Sequence, residues 1–200
     1  RLPKCETAEY VLRLNHILEQ YEIENQLEKK SIGIIPMLET PLGILNSYEI
    51  AKCTDRIFAI GIGSEDLTTA LHISRNYSLN AQELLYARQK VIMAGRAAGV
   101  QVLDSSILVD DPEFIYQDSL NSKNFGFDGR SVISLAHVDV VNKAYSPTEE
   151  EVEWARSVIR IYNEAKNGTV EPYYGNLFVD VPVVEKAYLI LDKLSAILDK

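Results

Sequence analysis

The chain has 200 residues, with 20 Lys and Arg against 29 Asp and Glu for a net charge of −9, and 46% of its residues are apolar. That apolar content excludes disorder, and a chain of this length buries enough surface to fold without disulfides or zinc. The acidic balance, with no basic run longer than Lys29-Lys30, excludes nucleic acid and anionic membrane surfaces as main partners. Cys5 and Cys53 lie outside any CxxC spacing, and His16, His72 and His137 form no HxxxH pair, so the expectation is a reduced, cytoplasmic setting without a zinc site. No apolar stretch approaches the ~18 residues of a membrane span, and the first residues are too polar for a signal peptide. The chain opens on Arg1 rather than Met, so an upstream portion is expected.

Residues 6–30 place Tyr10, Leu14, Ile17, Leu18 and Tyr21 on one face, predicting an amphipathic helix. The run 32–38 is apolar on both alternating faces, as a strand buried between helices is, and it ends at Glu39. A helix is expected from near Asn46, with Asn46 and Glu49 in a capping arrangement. A second buried strand over 57–62 ends at Glu65 and Asp66. Asn80 with Glu83 repeats the capping pattern and opens a long helix closed by Gly99. Residues 100–103 read as a strand stopped by Asp104, Asp111-Pro112 as the start of a helix to about Asn124, and 131–134 as a further strand. Ser146-Pro147-Thr148-Glu149 caps a helix that ends at Gly168. A polar turn and Pro182 then lead into a last helix carrying Val184, Ala187, Tyr188, Leu191 and Leu194 on one side.

Helices alternating with short apolar strands imply parallel βαβ units, in either an open doubly wound sheet or a TIM (β/α)8 barrel. In both, function sits at the carboxyl ends of the strands, where Glu39, Asp66 and Asp104 fall. Counting Leu2-Pro3-Lys4 as the tail of a strand, about five strands are present where a barrel needs eight. The pattern reads as the later βα units of a barrel over 1–168, followed by a C-terminal extension and helix over 169–200.

Glu39 and Asp66 carry the sharpest chemical signal. Hard oxygen donors from consecutive parallel strand ends suit Mg2+ or Mn2+ with positions left open for a substrate. The alternative for them is a helix cap and a surface carboxylate. Gly61-Ile62-Gly63 lacks the third glycine, and the helix opening, of a dinucleotide fingerprint, and no phosphate-binding GxxxxGK[ST] loop exists. Asp180, just before Pro182, reads as a helix N-cap. His137 reads as a packed or solvent-facing histidine, and Glu149 to Glu151 as carboxylates favoured by a helix dipole.

The segments LPK at 2–4, MLETPLGILN at 37–46, GSEDL at 63–67, ELLYAR at 83–88, GFDGR at 126–130 and YSPTEEEV at 145–152 together resemble the citrate lyase beta subunit. That family belongs to a superfamily of metal-dependent carbon-carbon lyases that includes malyl-CoA and citramalyl-CoA lyases, and the resemblance covers roughly its last two-thirds. It implies a (β/α)8 barrel in which Glu39 and Asp66 bind Mg2+ (or Mn2+), with Glu39 also facing substrate. It implies cleavage of a citryl thioester, carried on CoA or an acyl carrier, to oxaloacetate and an acetyl thioester by a retro-aldol (Claisen-type) reaction. The family's cationic Arg comes from a strand before Arg1. Lys4 corresponds to a Pro-Lys motif and is expected to meet a CoA phosphate or substrate carboxylate. GNLFVDVP at 175–182 aligns with a segment whose Asp reaches a neighbouring subunit's site as acid or base, which makes Asp180 a catalytic candidate. Where the family reads Ile-His-Pro or Ile-Asn-Pro, this chain has Ile133-Ser134-Leu135. The implied partners are the acyl-carrier and transferase subunits of citrate lyase and further copies in a homo-oligomer. A free-standing malyl-CoA or citramalyl-CoA lyase, and a non-catalytic homologue used for assembly or thioester binding, are the alternatives.

Overall fold

The computed structural model describes residues 1–77 and 81–198. They divide into two compact units, Arg1–Tyr145 and Ser146–Lys200.

The first unit opens with helix α1 (Ala8–Glu24). Its inward face carries Val11, Leu14, Leu18 and Glu22, while Tyr10, Ile17 and Tyr21 of the expected face are exposed. The buried face contains a charge that hydrophobic periodicity cannot register. Both carboxylate oxygens of Glu22 are satisfied, by Arg56 Nη1 at 2.6 Å and Nη2 at 3.0 Å and by the N–H groups of Lys30 and Ile32 at 2.9 and 3.1 Å. A bidentate guanidinium with two backbone donors is what lets a carboxylate leave water.

Strand β1 (Met37–Leu38) is shorter than the 32–38 run predicts, although parallel pairings of Ile34 with Ile57 and of Leu2 with Pro36 flank it. Of the segment 2–4 expected as a strand tail, only Leu2 makes a strand pairing, a single bridge, and Pro3 and Lys4 turn away from it. Helix α2 (Pro41–Leu45) is capped by Thr40, whose Oγ1 accepts from Gly43 N–H at 3.1 Å, and α3 (Ser47–Ala51) follows. Asn46 does not cap α3: its side-chain amide donates to the Glu6 carbonyl at 2.9 Å, and Glu49 pairs instead with Lys52. Strand β2 (Ala59–Ile62) is buried throughout, and α4 (Ser64–Ala70) does open directly after Gly63, contrary to the sequence expectation.

Asn80 lies outside the described residues. Glu83 takes the Arg75 guanidinium at 2.7 Å and the Asn76 N–H at 2.9 Å, and a 3-10 turn, Gln82–Leu84, leads into α5 (Leu85–Ala98). Gly99, at φ +73°, closes α5 as expected. In β3 (Gln101–Asp104) the terminal aspartate belongs to the strand, and α6 (Pro112–Phe125) starts with Asp111 accepting from the N–H groups of Glu113 and Phe114. The fourth strand, β4, is Gly129–Arg130 rather than 131–134. After Ser131 donates to the Asp104 carbonyl the chain leaves the ladder, and Ser134 caps a 3-10 turn, Leu135–His137, that enters α7 (Val138–Tyr145).

Strands β1 to β4 form one parallel sheet in chain order, with Leu38 opposite Ile62, Gly61 opposite Leu103, and Asp104 opposite Arg130. Its core is Leu38, Ile60, Ile62 and Val102 packed by Ile50, Leu67, Leu84 and Val91. Sequential parallel order places every strand's carboxyl end at one edge of the sheet.

In the second unit a full capping box, Thr148 with Glu151, starts α8 (Glu149–Lys166). A hairpin of β5 (Tyr173–Tyr174) and β6 (Leu177–Phe178) turns at Gly175 (φ +59°) where the sequence reads as a polar turn. Helix α9 (Val181–Leu198) packs on α8, burying Ala155, Val158, Val184 and Ala187 with Val179. Helix α8, read from sequence with the 1–168 segment, thus packs within the second unit. Among the described residues no helix is long and apolar enough to cross a membrane.

Candidate functional site

At the carboxyl edge of the sheet lies an open cleft of about 160 Å³ whose lining residues all belong to the first unit. Glu39, the first residue past β1, contributes a nearly buried carboxylate, and its Oε1 accepts the Lys4 N–H at 2.7 Å. Lys4 has the left-handed backbone conformation (φ +47°), uncommon for a residue with a Cβ, and its N–H points at that oxygen. Because Leu38 pairs with Ile62, Glu39 stands beside Gly63. A Cβ there would lie 2.4 Å from Glu39 Oε2, so only glycine leaves the carboxylate its place.

Asp66, on the first turn of α4, lines the same cleft, and its Oδ1 is 3.3 Å from Lys4 Nζ. Lys4 therefore joins the two predicted ligands, by its backbone to Glu39 and by its ammonium to Asp66. The Lys4–Asp66 pair is well exposed to solvent, where such pairs contribute about 0–1 kcal/mol, so a cation or substrate displaces it at little cost. Glu65 completes the acidic side and accepts from the Tyr77 hydroxyl at 2.9 Å. Burial and then that carboxylate push the Tyr77 hydroxyl above its ordinary range.

Glu39 and Asp66 form a pair of hard oxygen donors. Among the described residues no group of three or more His, Cys, Asp or Glu is placed to hold a metal, so the remaining positions of a cation here would fall to water and substrate. That donor chemistry fits Mg2+, which retains several waters, and does not fit structural zinc, which wants four nitrogen or sulfur ligands.

The third strand-end carboxylate, Asp104, is buried and structural. Its Oδ2 accepts from Arg88 Nη2 at 2.6 Å and Ser122 Oγ at 2.5 Å, and its Oδ1 accepts the Ser105 N–H at 2.9 Å. Arg130 ties Asp118 at 2.9 Å and donates through Nε to the Ser105 carbonyl at 3.1 Å. Ser105 is thus gripped at both its N–H and its C=O. His137 is buried with Nε2 at 3.0 Å from Asp110 Oδ1, which makes it the packed one of the two roles, packed or solvent-facing, expected of it. In the second unit the Asp180 carboxylate accepts the Val183 N–H at 3.3 Å, capping α9.

The sequence reading missed Arg1, Ser106 and Ser131, which line the cleft, with Arg1 Nη1 donating to Ser131 Oγ at 2.7 Å. The signal was available for Ser106, which follows a strand end as Glu39 and Asp66 do, whereas Ser131 was expected inside a strand and reaches the cleft because β4 ends at Arg130.

The HpcH/HpaI aldolase/citrate lyase family model matches residues 1–134. The citrate lyase subunit beta of Leuconostoc mesenteroides subsp. cremoris is 35% identical over 198 residues, covering 98% of this chain and 65% of the relative. The mitochondrial citramalyl-CoA lyase of Mus musculus is 27% identical, over 100% of this chain and 61% of that protein. Among solved structures, the CitE protein of Mycobacterium tuberculosis in complex with magnesium, acetoacetate and coenzyme A superposes with a TM-score of 0.76 at 25% identity, covering 96% of this chain and 66% of that one. A citrate lyase from Burkholderia xenovorans LB400 has a TM-score of 0.84 at 18% identity, over 98% and 62%, and shares the fold. The chain therefore spans somewhat under two-thirds of the length of the curated relatives it matches, and with more than half of it covered by the family model, it belongs to the HpcH/HpaI aldolase/citrate lyase family.

Proposed function

We propose that this chain carries the metal-binding part of a Mg2+-dependent carbon-carbon lyase of the citrate lyase beta type, built from the later units of a (β/α)8 barrel. The observation that carries the reading is the joining of Glu39 and Asp66 by Lys4 at adjacent parallel strand ends. Similarity to proteins named citrate lyase subunit beta, and to a CitE structure holding magnesium and coenzyme A, supports it.

In this reading Glu39 and Asp66 hold the cation, which when bound supplies Lewis-acid polarisation to a hydroxy- or oxo-carboxylate. Lys4 fixes the orientation of Glu39 through its N–H, and its ammonium, freed from Asp66, meets a substrate carboxylate or CoA phosphate as a point charge. A base takes the hydroxyl proton of a citryl thioester, the oxygen left behind becomes the oxaloacetate carbonyl as the neighbouring carbon-carbon bond breaks, the electron pair of that bond passes into the thioester enolate, and an acid returns a proton to that carbon to give the acetyl thioester. Asp180 serves as acid or base at a neighbouring copy's site, in a homo-oligomer that works with acyl-carrier and transferase subunits. A reducing cytoplasm suits the free thiols of Cys5 and Cys53.

The test is cleavage of citryl-CoA, malyl-CoA and citramalyl-CoA, with Mg2+ and with EDTA. It is run on this chain alone and on this chain joined behind the leading third of the Leuconostoc subunit. Citryl-CoA cleavage silenced by EDTA is expected, and preference for citramalyl-CoA would favour the activity named for the mouse relative. Cleavage that survives EDTA, or a joined chain that cleaves no thioester, would overturn the reading in favour of an assembly or thioester-binding role. Asp180→Asn should lower turnover more than Mg2+ affinity, and an unchanged rate would leave Asp180 as the cap of α9 alone.

A further inference from the structure

Beside its acidic side the cleft has a cationic and hydroxylic one. Arg1 is exposed, and among the described residues it forms no ion pair with an acidic side chain; its guanidinium spends one N–H on the neutral Ser131 hydroxyl. A guanidinium offers five donors in a planar fork that matches a carboxylate bidentately, so most of this fork is left for a ligand.

The hydroxyls around it sit on a rigid base. Ser131 donates its N–H to the Asp104 carbonyl at 3.1 Å, and Ser105, next to Ser106, is held at both ends by Asp104 and Arg130. Asp104 is itself fixed by Arg88 and Ser122 in the buried network. Donors held by buried ionic contacts lose little freedom when an anion arrives. The volume of about 160 Å³ is below the roughly 300–1,000 Å³ of sites that enclose drug-sized ligands, so it suits a small acid rather than a nucleotide.

We propose that Arg1, with the Ser106 and Ser131 hydroxyls, forms a second carboxylate subsite. It selects small hydroxy- or oxo-acids bearing a distal carboxylate over monocarboxylic ones. The inference rests on the metal-centre reading above, in which Glu39 and Asp66 serve the hydroxy-carboxylate end of the same ligand. It assigns to this face of the cleft the choice between a diacid and a monoacid.

The probes are malate and lactate, which share the 2-hydroxy-carboxylate and differ in the distal carboxylate. Each is titrated calorimetrically into the chain with Mg2+ and with EDTA. Malate should bind the wild type at least about tenfold more tightly than lactate, the margin of one charge-assisted contact. Arg1→Met should erase that margin and leave lactate affinity unchanged, while Arg1→Lys, which keeps the charge without the fork, should keep part of it. Equal loss for both acids, or no loss for either, would overturn the subsite. So would unchanged malate binding accompanied by weaker coenzyme A binding in Arg1→Met, which would assign the guanidinium to the carrier's phosphates. Malate preference that persists in EDTA and still depends on Arg1 would retain the subsite and overturn the metal reading. Binding of neither acid under any condition would overturn both.

Discussion

A methyl group at residue 63 would stand 2.4 Å from Oε2 of Glu39 and 2.7 Å from its Cβ, so alanine there must move the carboxylate from its root and not merely rotate its tip. Gly63→Ala should therefore lower Mg2+ affinity by about 10–100-fold, the usual cost of disturbing a residue that orients a ligand, while leaving the thermal midpoint of unfolding within a few degrees. Mg2+ titration with a circular-dichroism melt checks both halves, and full Mg2+ affinity in the variant would mean that Glu39 is not a ligand. Strand-end carboxylates are common in α/β proteins, so Glu39 and Asp66 were legible in the sequence less from their spacing than from the resembling motifs at 37–46 and 63–67 that contain them. Gly63 was legible as part of a failed dinucleotide motif and of the resembling GSEDL segment, but its packing against Glu39 was not, since that depends on the register that sets Leu38 opposite Ile62. Arg1 was invisible as a site residue because its place in the cleft comes from the parallel pairing of Leu2 with Pro36, a contact across 34 residues.

The elements hold together through two buried ionic clusters that hydrophobic periodicity does not reveal. Glu22 of α1, bound by Arg56 and backbone donors, is depressed from 4.5 to about 2, chiefly by the Arg56 hydrogen bonds. A depressed carboxylate contributes stability that is fully present above pH 4.5 and is lost as pH falls toward 2. Glu22→Gln should lower the urea midpoint at neutral pH and flatten its fall across that acid range, as equilibrium unfolding at several pH values would show. A variant falling as steeply as wild type would remove Glu22 as the cause. In the second cluster, Asp104→Ala leaves the Arg88 guanidinium without its carboxylate and should cost about 3–5 kcal/mol of unfolding free energy. A cost below about 1 kcal/mol would contradict the structural role given to Asp104. Caps written in local chemistry, such as Asp111-Pro112 and Gly99, stand where the sequence puts them, and within the expected 146–149 cap it is Thr148 that acts, reciprocally with Glu151. Asn46 does not, because a carbonyl forty residues away, on Glu6, claims its side chain. The strand expected at 131–134 is displaced by two residues because the ladder with β3 ends at Asp104.

At the scale of the whole molecule, alternation of helices with apolar runs was enough to predict parallel strands in chain order, with a fifth partner in the Leu2 segment. The hairpin at Tyr173–Phe178 was not foreseen, since its pairing depends on Gly175 in the left-handed region more than on any apolar pattern. In the barrel reading, β4 and the Leu2 segment border the units that the longer relatives supply. Joining the leading third of the Leuconostoc subunit to this chain should then slow hydrogen exchange at residues 129–131. Unchanged exchange there would count against barrel closure.

If Glu39 and Asp66 form a divalent-metal centre, Mn2+ titration followed by electron paramagnetic resonance should find one Mn2+ bound per chain, displaced by Mg2+, with binding lost in Asp66→Ala while the fold is retained. Wild-type Mn2+ affinity in Asp66→Ala, or no Mn2+ bound by the wild-type chain, would contradict that assignment.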